Sequence, residues 1–379
     1  MKLYLNHTRF FHLKKDICPF LNGNNLASLL KNNSQDINMK VPLKPSSVFT
    51  KSIKAAINVM PKVELHVHLD TCLSFSYVKQ TIPILTFNEF KQGFIAPERC
   101  EDLGDFLRCI EPQLNILQTK SAIGLAVDDL FEQLKMDNVI YTEIRFAPLL
   151  HTQHGLSSRE VVDITLDAMN SAVVKYEIEA GLILCTLRHF TASQSLETAK
   201  LVVEYQSRGV VALDLAADEA RFSLDNHEIA FNYVREHGGN VIAHAGEALG
   251  YESVIETLDK LKVSRIGHGV RSIENSNTIE KLKALNVLLE VCPSCNLVCN
   301  VFDSIENHPI NKLKQQGVKL SINTDARTVA DVTLNKEYQL LHDIFGWSIA
   351  DFTECNVNAL LASFIAEEKR ALLMKKLLN

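Results

Sequence analysis

Features that mark several protein classes are missing from the sequence. No apolar run in its 379 residues approaches the roughly 20 residues that a membrane-spanning helix needs. The net charge of -6 leaves no basic surplus of the kind that nucleic-acid-binding proteins carry. Charged residues make up 22% and hydrophobic residues 46%, as in an ordinary globular protein. We therefore expect neither a membrane span nor a nucleic-acid partner.

The nine cysteines do not fit a disulfide-stabilised secreted protein, because their number is odd and the chain can form a large core. Reduced thiols fit better, and we expect a cytoplasmic protein. The segment 1–59 has weak periodicity and no clean apolar stretch that would suggest a secretory signal. We interpret it as a poorly ordered N-terminal extension, with an organelle transit segment as the alternative, and residues 60–379 as one domain.

From residue 60 on, short apolar strands alternate with helical segments. Eight such repeats are typical of a parallel (β/α)8 TIM barrel. An open doubly wound sheet is the alternative, but it usually has a glycine-rich phosphate loop, and the sequence contains no G-x-G-x-x-G. The predicted strands are Lys62–Leu69, Val139–Ala147, Ala180–Arg188, Val210–Ala216, Asn240–Ala245, Arg265–Gly269, Val287–Cys292 and Lys319–Thr324.

The connection between the first two predicted strands is longer than a simple barrel requires. Residues 70–138 contain several helical pieces with scattered aromatic side chains. Such an insertion usually forms a lid or wall of the active site, although a helical cluster that only packs on the barrel is an equal alternative. The segment Ile349–Leu378 is expected to form helices that flank the barrel.

Polar side chains stand at the ends of the predicted strands. His66 and His68 lie two residues apart on the first strand, so they project from the same face. His244, His268 and Asp325 end the fifth, sixth and eighth strands, and the fourth runs into L-D-L-A-A-D-E. Because all strand ends of a parallel barrel meet on one face, we expect these groups to converge.

Histidines with one aspartate favour Zn²⁺ or a similar divalent ion over Ca²⁺ or Mg²⁺. A spare histidine and the nearby Glu247 indicate a catalytic site, because catalysis needs an open coordination position and an acid–base group. Metal-activated water makes hydrolysis the expected chemistry, with one ion per chain. The residues alone do not tell which of the four barrel histidines bind the metal.

At these positions the sequence resembles the adenosine deaminase family of amidohydrolase-type barrels. The resemblance rests on M-P-K-V-E-L-H-V-H-L-D, L-D-L-A-A-D-E, H-A-G-E, G-H-G, E-V-C-P-S-C-N and N-T-D-A-R-T, in that order, from about Met60 to Phe364. It implies zinc-dependent hydrolysis of adenosine, and of 2′-deoxyadenosine, to inosine and ammonia. The implied zinc ligands are His66, His68, His244 and Asp325.

The resemblance also implies roles for residues that do not bind the metal. Glu247 would share a proton with purine N1, and His268 would position the nucleophile that attacks C6. Asp70 would bind the ribose 5′-hydroxyl. The backbone N–H of Ala217 would meet purine N3. The implied partner is therefore a small purine nucleoside, while the oligomeric state stays open and a monomer is compatible with the sequence.

Three positions depart from the family pattern. Thr71 and Ala217 stand where many members have glycine, and Ala326 stands where many have a second aspartate near purine N7. Adenine or a 5′-modified adenosine such as methylthioadenosine is thus an alternative substrate, whereas Asp70 argues against a 5′-phosphate such as AMP because two anions would meet. An inactive purine-binding barrel is a third hypothesis, which the intact acid–base pair disfavours.

Cys292, Cys295 and Cys299 form a C-x₂-C-x₃-C motif that could indicate an iron–sulfur or redox site. Cytidine-type zinc deaminases combine H-x-E with P-C-x-x-C, which this sequence does not match. We favour a packing role for the three side chains, because suitable metal ligands exist elsewhere.

Overall fold

The computed structural model describes residues 47–379, in which eight strands alternate with helices. The strands are β1 (Lys62–His68), β2 (Val139–Phe146), β3 (Glu179–Leu187), β4 (Val210–Ala216), β5 (Asn240–Ala245), β6 (Arg265–His268), β7 (Leu288–Val291) and β8 (Lys319–Ile322). The helices are α1 (Ser47–Val59), α2 (Phe75–Thr81), α3 (Phe87–Phe94), α4 (Leu103–Arg108), α5 (Glu111–Ile116), α6 (Lys120–Met136), α7 (Ser158–Tyr176), α8 (Ala192–Tyr205), α9 (Glu228–Glu236), α10 (Tyr251–Leu261), α11 (Ser276–Ala284), α12 (Pro293–Val298), α13 (Ile310–Gln315), α14 (Leu334–Phe345), α15 (Ile349–Ala362) and α16 (Glu367–Leu378).

The eight strands form one parallel sheet in chain order. A parallel bridge joins Val67 of β1 to Asp325, in the segment that follows β8. There the His68 amide donates to the Asp325 carbonyl, and the Asp325 amide donates to the His66 carbonyl, each at 2.9 Å. The predicted (β/α)8 barrel is therefore confirmed, and each predicted strand is found within two residues of its expected bounds.

Burial on both faces explains why the strands are nearly continuous apolar runs. In β3, every residue from Gly181 to Leu187 is buried, because one face lines the barrel interior and the other meets the surrounding helices. Helices α7, α8 and α15 begin with capping boxes at Ser157, Thr191 and Ser348, which satisfy free amides of the first turn. The boxes of α7 and α8 fix where the loops after β2 and β3 end.

The long insertion after β1 reaches the C-terminal ends of other strands. Between α3 and α4, the Ala96 amide donates to the Val329 carbonyl at 2.9 Å and the Cys100 amide to the Val298 carbonyl at 2.8 Å. Asp102 forms an ion pair with Arg221, which follows β4, at 2.9 Å. The insertion therefore forms a wall of the C-terminal face, as the first of the two alternatives predicted.

The other end of the barrel is covered by the last two helices. Val63 and Leu65 of β1 pack with Ala359 and Leu360 of α15 and with Leu373 of α16. The predicted C-terminal flanking helices are thus confirmed. In the described part of the chain, no helix is both long and apolar enough to cross a membrane.

Helix α1 lies inside the segment predicted to be an N-terminal extension. Its Ile57 is fully buried, and the Ile57 carbonyl accepts a hydrogen bond from Lys62 Nζ at 2.6 Å. This helix is therefore part of the compact unit Ser46–Asn379. The expectation for residues 1–46 lies outside the described residues, and the domain boundary at residue 60 stays a prediction.

Candidate active site

Four polar side chains from β1, β5 and the end of β8 meet at the C-terminal end of the barrel. The ligand atoms of His66, His68, His244 and Asp325 all lie within 4.8 Å of one another. His68 Nε2 is 3.3 Å from His244 Nε2, and Asp325 Oδ1 is 3.4 Å from His66 Nε2 and 3.3 Å from His68 Nε2. Three imidazoles and a carboxylate that face one point are the donor set of a catalytic zinc-type site.

Two buried carboxylates orient the imidazoles. His66 Nδ1–H donates to Glu290 at 3.0 Å, and His244 Nδ1–H donates to Asp214 at 3.2 Å. Because each Nδ1 carries the proton, each Nε2 keeps its lone pair free for a metal ion. His66 Nε2 is buried without a hydrogen-bond partner, which is costly unless an ion satisfies it. The residues therefore fit a metal ion.

Arg145 connects these two carboxylates. Its Nη1 is 3.0 Å from Asp214, and its Nη2 is 2.7 Å from Glu290, which also contacts Arg265 Nε at 2.7 Å. Burial alone would raise the pKa of Glu290, but the charges of Arg145 and Arg265 hold that pKa well below its ordinary value. Glu290 is therefore an anion that accepts the hydrogen bond from His66 Nδ1–H.

Arg145 and Glu290 were not predicted from the sequence, and no role was predicted for Asp214. The available signal was a charged residue inside an apolar strand, in Y-T-E-I-R-F and L-L-E-V. A charge at such a position must find a partner inside the barrel. Strand register decides which partner it meets, and the sequence does not contain that information in a readable form.

Glu247 and His268 lie beside the metal-binding group. His268 Nδ1 is 3.5 Å from Glu247 Oε1, and His268 Nε2 is 3.8 Å from Asp325 Oδ2. Burial, with the charges of Asp325 and Glu219, raises the pKa of Glu247 well above its ordinary value. Burial and the neighbouring His66 lower the pKa of His268. Both shifts favour the uncharged forms, the carboxylic acid of Glu247 and the neutral imidazole of His268.

Glu219 holds the loop that carries Glu247. Its carboxylate accepts hydrogen bonds from the backbone N–H groups of Gly246 at 3.0 Å, Glu247 at 2.7 Å and Leu249 at 2.9 Å. It also accepts from the hydroxyl of Ser253 at 2.7 Å. Four donors on one carboxylate fix the backbone of this loop, and with it the position of Glu247.

Three predicted site residues have a left-handed backbone. The φ angles are +61° at His268, +59° at Asp325 and +75° at Ala217, a region that residues other than glycine rarely adopt. Such conformations are often found at functional sites, where the surrounding structure imposes them. At Ala217, where the family resemblance predicts glycine in many members, the methyl group makes this backbone less favourable.

Asp70 lies in a short 3₁₀ turn directly after β1. Its Oδ2 is 3.4 Å from Nε2 of His151, a buried residue that the sequence analysis missed. His151 Nδ1–H in turn donates to the Leu117 carbonyl at 2.8 Å. The hydroxyl of the neighbouring Thr71 donates a hydrogen bond to the His68 carbonyl at 3.1 Å, which stabilises the end of β1.

The three clustered cysteines are buried free thiols. Cys292, Cys295 and Cys299 pack with Ala326, and Cys295 Sγ donates to Asp325 Oδ2 at 2.9 Å. Burial raises the pKa of Cys292 and Cys299, which disfavours the thiolate that a metal or a redox partner needs. This supports a packing role. A second group of ligand atoms, which overlaps the first, consists of His268, Cys292 and Asp325.

Comparison with known proteins agrees with this geometry. The family model for adenosine deaminase matches residues 61–379. An adenosine deaminase from Clostridium acetobutylicum is 34% identical over 333 residues, which cover 86% of this chain and 99% of the relative.

Two solved structures share the fold. Adenine deaminase from Arthrobacter aurescens aligns with a TM-score of 0.78 at 23% identity, over 84% of this chain and 98% of its own. An amidohydrolase from Burkholderia ambifaria with bound zinc aligns with a TM-score of 0.79 at 19% identity, over 89% of this chain and 94% of its own.

Proposed function

The chain belongs to the adenosine deaminase family, and we propose that it hydrolyses adenosine, and 2′-deoxyadenosine, to inosine and ammonia. It would act as a hydrolase on the C–N bond of a cyclic amidine. One observation carries the proposal: four metal-binding side chains lie beside a buried carboxyl group whose pKa is raised. A site that only binds purines has no need of this acid.

We assign one zinc ion to His66, His68, His244 and Asp325. Imidazole nitrogens with a single carboxylate are donors that suit zinc, and the buried unpaired Nε2 of His66 supports the assignment. When bound, the ion would lower the pKa of a water molecule to about 7 and so supply the hydroxide for attack at purine C6.

Glu247 donates the proton that the purine ring needs. As hydroxide adds to C6, the C6–N1 double bond becomes single, and N1 takes the proton of the carboxyl group. The tetrahedral C6 then expels the amino group, which takes the hydroxyl proton and leaves as ammonia. The product keeps its proton on N1, and the next water molecule restores the proton of Glu247.

His268 positions the attacking group. Its imidazole is neutral, and its Nε2 faces the metal-binding group at 3.8 Å from Asp325. A proton on Nε2 would let this nitrogen donate a hydrogen bond to the hydroxide, which aligns the attack on C6.

Asp70 and Ala217 would hold the nucleoside. Asp70 lies in the turn after β1, and Ala217 directly follows β4, both at the C-terminal end of the barrel. The Asp70 carboxylate would accept a hydrogen bond from the ribose 5′-hydroxyl, and the Ala217 N–H would donate to purine N3. A 5′-phosphate would bring a second anion against Asp70, which favours adenosine over AMP.

We also propose a cytoplasmic location. Eight of the nine cysteines lie among the described residues, and all eight are free thiols, as a reducing compartment would keep them.

Ammonia release from five 6-aminopurines tests the substrate. Zinc-loaded protein should act on adenosine and deoxyadenosine faster than on adenine, methylthioadenosine or AMP. A higher kcat/KM for adenine or methylthioadenosine would replace the proposed substrate, and no release from any of the five would exclude the deaminase function. Metal analysis should find about one zinc ion per chain.

A further inference from the structure

Asn296 of α12 contacts both Glu247 and His268. Its Nδ2 lies 2.9 Å from Glu247 Oε1 and 3.1 Å from His268 Nδ1. Asn296 is fully buried, so its amide group exchanges no hydrogen bonds with bulk water. The orientation of this amide therefore bears on where the protons of both neighbours lie.

One backbone amide fixes the direction of the hydrogen bonds that lead to Asn296. The N–H of Ile310 can only donate, so His308 Nδ1, at 3.2 Å, must accept. Burial lowers the pKa of His308 to about 3, so the ring is neutral and its single proton lies on Nε2. That nitrogen is 3.2 Å from Asn296 Oδ1, which therefore accepts.

The orientation of Oδ1 also fixes the other side of the amide. With Oδ1 facing His308, Nδ2 of Asn296 presents its two hydrogens to Glu247 and His268. His268 Nδ1 is 3.1 Å from this donor but 3.5 Å from Glu247 Oε1, so it is closer to the amide nitrogen than to the carboxyl oxygen. His268 Nδ1 then accepts, which leaves the imidazole proton on Nε2.

We propose that His308 and Asn296 form a hydrogen-bond relay that places the His268 proton on Nε2 and leaves Glu247 Oε2 to carry the acidic proton. Both are positioning residues, since they act through the catalytic pair. The meaning for catalysis rests on the proposed function. Without the relay, His268 could donate from Nδ1 to Glu247, and its Nε2 lone pair would then face the attacking hydroxide.

The parent protein itself tests the proton positions. We would label histidine nitrogens with ¹⁵N in the full-length, zinc-loaded protein and identify the His268 signals by their loss in His268→Gln. The relay predicts a protonated Nε2 and an unprotonated Nδ1 for His268. A protonated Nδ1 would overturn the proposal without any change to the relay residues.

Two substitutions of His308 separate the relay from a local structural role. Glutamine can place its amide nitrogen near the position of Nε2, so His308→Gln keeps a donor for Asn296. Asparagine can place its oxygen near Nδ1, so His308→Asn keeps the acceptor for Ile310 but loses that donor. The relay predicts a kcat within about 10-fold of the parent for the glutamine variant, and a loss of roughly 10²-fold for the asparagine variant at similar KM. The reverse order would contradict it.

Asn296→Asp reverses the amide directly. Its carboxylate can only accept from His268, so Nδ1 should become protonated and kcat should fall by roughly 10³-fold with the zinc content unchanged. Asn356→Asp is the matched control. It makes the same change at a buried asparagine that bonds Val63 and Phe352, and it should leave the His268 signals as in the parent.

The outcomes distinguish the relay from the proposed function. If Asn296→Asp keeps the proton on Nε2 and the parent kcat, the relay is wrong. If the parent releases no ammonia from any 6-aminopurine but has the predicted His268 proton positions, the proposed function fails and the relay holds.

Discussion

On one side of the site, buried carboxylates hydrogen-bond directly to the imidazoles that we propose as metal ligands, whereas on the other side a neutral amide contacts the side chains of the proposed acid and its neighbouring imidazole. We call the first side the metal half: His66, His68, His244 and Asp325, with Asp214, Glu290 and Arg145 behind them. We call the second side the proton half: Glu247 and His268, with Asn296 and His308 behind them. Both halves lie at the same end of the same barrel. Asp325 of the metal half lies 3.8 Å from His268 of the proton half.

The two kinds of support match two tasks. Carboxylates behind His66 and His244 make these imidazoles better electron donors and offset the charge of a bound cation. The charge of Glu219 raises the pKa of Glu247, which helps this acid to keep its proton until the substrate takes it, but Glu219 bonds the backbone of the loop and not the Glu247 carboxyl group. Asn296 gives Glu247 a hydrogen bond without a charge. The groups that hydrogen-bond directly to the two sets of side chains thus differ in charge, in agreement with the proposed separation of metal binding from proton transfer.

Glu247→Gln should have the largest effect among the following substitutions and should act on the proton half alone. The amide keeps the shape of the side chain but cannot donate the acidic proton, so kcat should fall roughly 10²–10⁴-fold. Zinc content, measured by elemental analysis, should equal that of the parent. Loss of zinc together with activity would mean that the two halves are not separable.

Asp214→Asn should act on the metal half. It removes the anion behind His244 and one partner of Arg145, so zinc affinity should fall roughly 10–100-fold. Competition with a chromophoric chelator measures this affinity, and kcat at saturating zinc should stay close to that of the parent. Asp163→Asn is the control, since it breaks only an exposed ion pair with Arg208 and a bond from Tyr205, and it should leave zinc affinity unchanged.

Glu337 supports the helix that carries Asn296, and the pH dependence of protein stability tests whether this carboxyl group is uncharged in the folded state. Buried Glu337 accepts a hydrogen bond from the Ser294 amide at the start of α12, and burial raises the pKa of Glu337 to about 8. In the unfolded chain, Glu337 loses its proton at an ordinary pKa near 4.5. The free energy that the protonated Glu337 side chain contributes to the folded state is therefore fully present below pH 4.5 and is lost as the pH rises through 8. The unfolding temperature of Glu337→Gln, relative to that of the parent, should therefore rise between pH 5 and pH 8. A constant difference across this range would show that Glu337 is ionised in the fold.

Ala217→Gly should have the smallest effect. Glycine relieves the left-handed backbone at φ +75° and should stabilise the protein by about 1 kcal/mol, with KM for adenosine changed at most a few-fold. Glu177→Gly is the control, because it relieves a similar φ of +57° at the end of α7. Equal changes in KM for both variants would argue against a substrate contact at Ala217.

Much of the fold follows from the sequence, because parallel strands buried on both faces leave apolar runs that are easy to recognise. The convergence of His66, His244 and Asp325 follows too, since strand ends of a closed barrel meet on one face. The family resemblance is confirmed by the match to the family model and by the adenosine deaminase relative that is 34% identical. The assignment of His268 next to the metal, rather than on it, came only from that resemblance, because it ends its strand as His244 does.

The supporting residues were not predictable in the same way. Arg145 and Glu290 are 145 residues apart in sequence, and only strand register brings their side chains to 2.7 Å. The contact between His308 and Asn296 depends on the path of an irregular loop that has no readable period. The direction of Thr71 also depends on a turn, in which its hydroxyl meets the carbonyl of His68.

Zinc affinity compared between Asp214→Asn and Glu247→Gln tests the separation of the two halves most directly. Each variant replaces a buried carboxyl group with an amide at one end of the same barrel. We predict a roughly 10–100-fold weaker affinity for Asp214→Asn and the parent affinity for Glu247→Gln. Equal affinities in the two variants, or weaker binding in Glu247→Gln, would contradict the account.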